Sequence, residues 1–242
     1  MEIDLAGAAY AGAVLLVAYL VRGIAGFGSG LIAVPLLALQ FPIKAVVPIV
    51  VLLDYLGSAS QGMRNRRIIA WREQWPLIPF TLLGVAAGLT LLHEMTSAAL
   101  ATALGAFIIA YAVYQVLPLP DLSGPRVLAV PSGLLGGLVG TLFGTGGPFY
   151  IIYFGLRRLE KSVQRATFAM NFLIDGGIRL IAYATFGFFN ADVLLAVLGA
   201  LPVAAIALWV GGRIHVSIAR ETYARIISAL LLVSGIGLLM KG

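Results

Sequence analysis

The sequence predicts an all-α integral membrane protein: a polytopic chain of about eight to ten membrane segments, built from two repeats of inverted topology. Each repeat is expected to hold a glycine-broken hairpin and three spans. Three observations carry this prediction. Hydrophobic residues make up 61% of the 242 and charged residues 11%, with a mean hydropathy of +1.02, whereas soluble domains carry about 25% charge. The apolar residues fall into runs near the ~20 that cross the hydrocarbon as a helix. Finally, Phe27-Gly28-Ser29-Gly30 returns almost letter for letter as Phe143-Gly144-Thr145-Gly146.

The elements follow in order. Leu5–Val21 is a first span, and the acidic start MEIDLAGAAY reads as a retained segment rather than a signal peptide, which needs a basic opening. Gly23, Gly26, Gly28 and Gly30 then crowd into one apolar stretch. Glycine costs about 1 kcal/mol relative to alanine inside a helix, so the helix should break there. Leu31–Phe41 beyond the break is short, as suits half of a hairpin. Ala45–Ala59, Pro76–Leu92 and Ala98–Leu117 are spans. After a polar link, Val127–Phe143 runs into the second break, and Phe149–Leu156 is again a short return piece. Ala166–Phe189, Val193–Val210 and Tyr223–Met240 complete the set. Asp54-Tyr55-Leu56 lies over Asn171-Phe172-Leu173, and Pro79 with Gly88 over Pro202 with Gly211. These landmarks set the repeats at 1–117 and 126–242 within one transmembrane domain, 1–242.

Charge fixes the expected orientation. The net charge is +6, but the basic residues sit in short clusters between apolar runs, which argues against a nucleic-acid partner. Loop 61–73 carries Arg64, Arg66, Arg67 and Arg72; loop 157–165 carries Arg157, Arg158, Lys161 and Arg165; loop 213–225 carries Arg213, Arg220 and Arg225. With Arg126, most of the 16 basic residues share one face if the halves are inverted. The positive-inside rule makes that face cytoplasmic and puts both termini on the other side. Trp71, Trp75 and Tyr111 lie near span ends, where amphipathic rings anchor at the interface. The chain has no cysteine and two histidines, so no thiolate nucleophile, disulfide or histidine-rich metal site is available, and no metal or cofactor is expected.

A helix broken within a bilayer leaves backbone N–H groups that need protein or a watery cavity around them. Two interrupted segments in corresponding places of two halves point to a transporter's binding site. The residues expected there are Gly26, Phe27, Gly28, Ser29 and Gly30 in the first break and Gly144, Thr145, Gly146 and Gly147 in the second. The start of a half-helix carries partial positive charge and binds anions. Close helix packing is the competing reading of these glycines. A dinucleotide loop is not, because no βαβ unit surrounds the glycines. Ser29 is not a hydrolase elbow either, since the positions two before and two after it hold Phe27 and Leu31, and no catalytic residue is assigned.

Ionisable residues within spans are costly and mark function or pairing. Asn171, Asp175 and Arg179 share one helical face. Asp175 and Arg179 either neutralise each other or divide the work, Arg179 with Asn171 attracting an anion and Asp175 or Asp54 exchanging a proton. Arg22, just before the first break, reads first as a side chain snorkelling to the interface and second as a site residue, and His93 and His215, at span ends, as solvated.

GIAGFGSGLIAVPLL, GLLGGLVGTLFGTGGPFYIIY and RRIIAWREQWP together resemble the TauE/SafE sulfite exporter family of permeases. The likeness runs from Leu5 to Met240. It implies transport of a small sulfur-containing anion, such as sulfite or a sulfonate, across a bacterial or archaeal inner membrane. Some members carry cysteines; this chain has none, so a thiol-dependent mechanism does not follow. The expected function is a proton-coupled secondary transporter of such an anion. An anion channel of the same architecture is the alternative, and an intramembrane hydrolase a more distant one. The expected partners are the anion and the lipid bilayer, with the choice between monomer and homo-oligomer open.

Overall fold

The computed structural model describes residues 4–26, 28–62, 67–117, 123–214 and 220–241. Phe27, Arg64, Arg66 and His215, named above, lie outside the described residues. The elements are α1 (Leu5–Ala25), α2 (Ser29–Ala38), α3 (Ile43–Gly62), α4 (Trp71–Gln74), α5 (Leu77–Glu94), α6 (Ser97–Val116), α7 (Ala129–Phe143), α8 (Gly147–Leu156), α9 (Lys161–Thr185), α10 (Ala191–Arg213) and α11 (Arg220–Lys241). No strand occurs among the described residues. Among the described residues, five stretches are long and apolar enough to cross a membrane: Leu5–Ile24, Trp71–Glu94, Ser97–Val116, Arg126–Phe143 and Ala191–Arg213. Leu195, Leu198, Ile206, Val233 and Met240 are all more than 60% exposed. Such a surface suits acyl chains and would be a liability in water.

Both predicted breaks are present. α1 ends at Gly26, whose φ of 85° is left-handed and whose N–H donates to the Arg22 carbonyl at 2.6 Å. α7 ends the same way at Gly144, φ 66°, with its N–H on the Gly140 carbonyl at 2.9 Å. A left-handed glycine closes a helix because it lacks the Cβ that would clash there. The helices that follow, α2 and α8, have 10 residues each, about 15 Å of rise and half of a bilayer core.

The chain divides into two compact units. The first comprises Met1–Val50, Met95–Leu119 and Asn190–Gly242, hence α1, α2, the start of α3, α6, α10 and α11. Here α1 and α2 form a hairpin: the Tyr10 hydroxyl, low on α1, donates to the Leu36 carbonyl, late on α2, at 2.7 Å. Lys241 Nζ donates to the Ala38 and Leu39 carbonyls at 3.1 and 2.8 Å, a cation on the electronegative end of α2. α1 packs on α10 with Gly23 against Gly211, and α6 on α11 with Gly105 against Gly235.

The second unit comprises Val51–Glu94 and Pro120–Phe189, with the rest of α3 and α4, α5, α7, α8 and α9. Its main contact is α5 on α7, made through glycines on both helices: a Cβ on Gly88 would meet the Leu138 carbonyl at 2.9 Å, and one on Gly133 the Leu77 carbonyl at 2.7 Å. α7 and α8 form a hairpin whose two ends are tied. Gly124 N donates to the Leu156 carbonyl at 2.9 Å, and Arg157 Nη1 to the Gly124 carbonyl at 2.5 Å. Glu73, buried on α4, completes the clasp. Its Oε1 accepts from Arg126 Nε and Nη2 at 3.0 and 2.9 Å, and its Oε2 from the Tyr153 hydroxyl and Arg157 Nε, both at 2.9 Å. The loop before α5, the link before α7 and the loop after α8 therefore meet at one end of this unit. Tyr150, Tyr153 and Phe154 of α8 fill the core behind the clasp with Leu77 and Ala129.

The packing glycines make a direct test. Gly137→Ala puts a Cβ into the Thr81 carbonyl and should destabilise by about 1–3 kcal/mol, read as a lower melting temperature of the detergent-solubilised protein. Gly12→Ala, with nothing within 4 Å of the added Cβ, should be neutral or raise it slightly.

Candidate functional site

The site grows from one face of α9. Asn171, Asp175 and Arg179 succeed one another every fourth residue, a spacing that stacks side chains on one side of a helix. All three are buried. Arg179 Nη2 donates to Asp175 Oδ2, forming an ion pair, and Nη1 donates to the Gly140 carbonyl at 2.8 Å. That bond ties α9 to the last turn of α7, just before the break. Glycine at 140 leaves room for the guanidinium, since a Cβ there would stand 3.2 Å from Arg179 Cζ and press it aside. On the other side of the break, a Cβ on Gly147 would lie 3.4 Å from Phe168 Cζ. The segment Thr145-Gly146-Gly147 thus runs along α9 between Phe168 and Arg179, the stretch that carries Asn171 and Asp175.

Several buried polar atoms here have no partner: Gln74 Oε1, Thr145 Oγ1, Asn171 Nδ2, Asp175 Oδ1 and Arg179 Nε. Their residues are at most 2% exposed. Gln74 reaches the face from α4, donating Nε2 to Asn171 Oδ1 at 2.7 Å. The opening N–H groups of α8 add to the set, because the first turn of a helix lacks i−4 acceptors, and Pro148 removes one donor there. Buried polar groups in proteins are normally satisfied, and each orphan costs about 1–3 kcal/mol. Four of the five belong to residues around this break, and the fifth is the Nε of the buried Arg179 guanidinium. The phenols close the wall: the Tyr150 hydroxyl pairs with Thr81 Oγ1 at 3.2 Å, and the Tyr183 hydroxyl donates to the Thr141 carbonyl at 2.6 Å.

The other expected residues fall as follows. Gly28, φ 99°, precedes α2, while Ser29 and Gly30 belong to its first turn. In the second break Thr145 lies between the helices, so the two motifs that match by letter are offset by two residues in structure. Ser29 is buried and accepts from Arg22 Nη1 at 3.1 Å. This corrects the expectation for Arg22: at 5% exposure it does not snorkel to an interface but turns inward onto the hydroxyl that opens α2. Asp54 is buried on the second part of α3, and its neighbour Tyr55 packs on Gly176 and Gly177 of α9. His93 is exposed with its ring 6.3 Å from that of Phe186. Gln74 was not foreseen, because it sits beyond the apolar run in a segment read as an interfacial loop. No cluster of potential metal ligands occurs among the described residues.

A multi-pass helical membrane protein with glycine-broken hairpins and buried, unsatisfied polar atoms beside one of them belongs to the class of membrane transporters. Residues 10–238 match the family described as Sulfite exporter TauE/SafE, and the chain belongs to that family. It is 28% identical over 226 residues, 90% of this chain and 88% of the other, to a protein of Cupriavidus necator described as a probable sulfite/organosulfonate exporter TauE. No solved structure matches.

Thr145 offers a test in the absence of any ligand. Thr145→Val keeps the side chain's shape and removes the orphan hydroxyl. It should raise the melting temperature of the ligand-free protein, by roughly 1 kcal/mol of stability, and weaken anion binding measured by calorimetry. A lower melting temperature with anion binding unchanged would show that Thr145 serves packing alone.

Proposed function

We propose that this protein is a secondary transporter moving a small sulfur oxyanion or sulfonate across a cell inner membrane, with Thr145, Gly144, Gly146, Gly147, Asn171 and Arg179 at its substrate site. One observation carries the reading: the unpartnered donors of Thr145, Asn171 and Arg179 are buried together beside the start of α8. Buried donors of this kind suit an anion that passes through the membrane. Gly26, Phe27, Gly28, Ser29 and Gly30 serve the first break, where Arg22 supplies a buried cation. Asp175 and Asp54 are the groups proposed to couple proton movement to transport.

The reading of two inverted repeats, 1–117 and 126–242, draws support from packing. α1 pairs with α10, and α7 with α5, so each break-bearing helix packs on the fourth long piece of the other half. The glycines at those crossings correspond, Gly211 meeting Gly23 and Gly88 meeting the α7 turn from Leu138 to Thr141. The clasp of Glu73 on Arg126 and Arg157 supports grouping the basic loops 61–73 and 157–165 on one face, proposed as cytoplasmic with 213–225.

Purified protein in detergent should melt higher with sulfite and sulfonates than with small carboxylates. The gain is about 2.7 kcal/mol at 100 times Kd, and Arg179→Gln should abolish it. In proteoliposomes, uptake of the anion should acidify or alkalinise the lumen in step with flux. Uptake with no proton movement would identify a channel, and no shift with any anion would remove the site.

A further inference from the structure

The orphaned atoms include acceptors as well as donors. Gln74 and Asn171 share one hydrogen bond and leave one amide oxygen and one NH₂ unused. Exchanging O and N in both side chains leaves the same balance, one donor and one acceptor. Asp175 adds a carboxylate oxygen, Oδ1, on the side away from Arg179 Nη2. Arg179 Nε can only donate, and Thr145 Oγ1 does either. An anion with no hydrogen of its own would satisfy the donors yet leave the amide oxygen bare, and would give Asp175 no donor beyond Arg179 and Tyr150. A dianion would in addition face Asp175, with one guanidinium shared between two negative partners.

Resting on the reading of this site as the substrate site, we propose that among sulfur oxyanions and sulfonates it prefers a singly charged one that itself carries a hydrogen-bond donor. The anionic oxygens lie toward Arg179, Thr145 and the start of α8, and the X–H group toward Asp175 and the Gln74–Asn171 amide pair. For sulfite this is the hydrogen-bearing monoanion rather than the dianion. The transported species then brings a proton with it to Asp175. The charged and titratable groups around the ligand are Asp175 and Arg179 on α9, Tyr150 on α8 and Tyr183 on α9. Tyr150 pairs with Thr81 and also faces the Asp175 carboxylate, while Tyr183 donates to the Thr141 carbonyl.

Sulfamate and methanesulfonate separate the possibilities, because both are tetrahedral monoanions of nearly equal size and differ in NH₂ against CH₃. Calorimetry on the purified full chain, with sulfite as a third ligand, should find sulfamate bound about tenfold or more tighter than methanesulfonate, the gain expected from a hydrogen bond to a charged group. Asp175→Asn should shrink that ratio. Gln74→Met, which leaves the Asp175–Arg179 pair in place, should shrink it as well. Equal affinities, a preference for methanesulfonate, or binding of sulfite with neither probe would overturn the donor requirement while leaving the site in place. No binding of any of the three would overturn the site itself.

Discussion

Hydrocarbon offers no hydrogen bonds, so every polar group that enters it must find its partner in the protein. That constraint explains most of what this chain does at its two interruptions. Ending α1 and α7 in the apolar interior strands their last carbonyls and the first N–H groups of α2 and α8. The Gly26 and Gly144 N–H groups take up one carbonyl each. Arg22 and Arg179 are the other answer: each lies buried near a break and donates into it, one to the Ser29 hydroxyl and one to the Gly140 carbonyl. Among the described residues, the unsatisfied buried side-chain atoms other than Ser228 Oγ belong to Gln74, Thr145, Asn171, Asp175 and Arg179, along α9 and the second break.

Holding such groups open requires a firm frame. In the second unit the frame is the clasp on Glu73, a buried carboxylate whose two oxygens accept four hydrogen bonds from two arginines and a tyrosine. Removing any of these donors would leave a poorly compensated charge, which is why such pairs matter more when broken than when present. The clasp joins the ends of the α7–α8 hairpin and fixes α4, so that Gln74, the residue after Glu73, is delivered to Asn171. The glycine contacts between α5 and α7 bring two backbones close enough to act as one rigid wall.

Much of this architecture was legible in the chain. Only backbone physics was needed to find the breaks at Gly26–Gly30 and Gly144–Gly147, and the four-residue spacing put Asn171, Asp175 and Arg179 on one face. The hairpin ends were not legible, since Gly124, Leu156 and Arg157 meet through folding rather than spacing. Arg22 was misjudged because position near a span end says nothing about which way a long side chain turns. Gln74 was hidden by its place among charged and aromatic residues at the mouth of a span. The letter match of Phe27 with Phe143 also misaligned the breaks by two residues. A run rich in glycine offers several places for a left-handed turn, and the helix cap, not the lettering, decides which is used.

Both breaks need a left-handed glycine, Gly26 in the first and Gly144 in the second, and the second makes a further steric demand at Gly146. At Gly26 the space beside the residue is empty and only the dihedral angle excludes a side chain. Asparagine, which tolerates that conformation better than other residues, is the one plausible substitute. At Gly146 the dihedral is ordinary, φ −69°, but a Cβ would run into the Gly136 carbonyl. The first hinge is therefore mutable in principle, whereas the second admits nothing larger than a hydrogen atom, and descendants of this chain can diverge at one doorway while the other stays frozen.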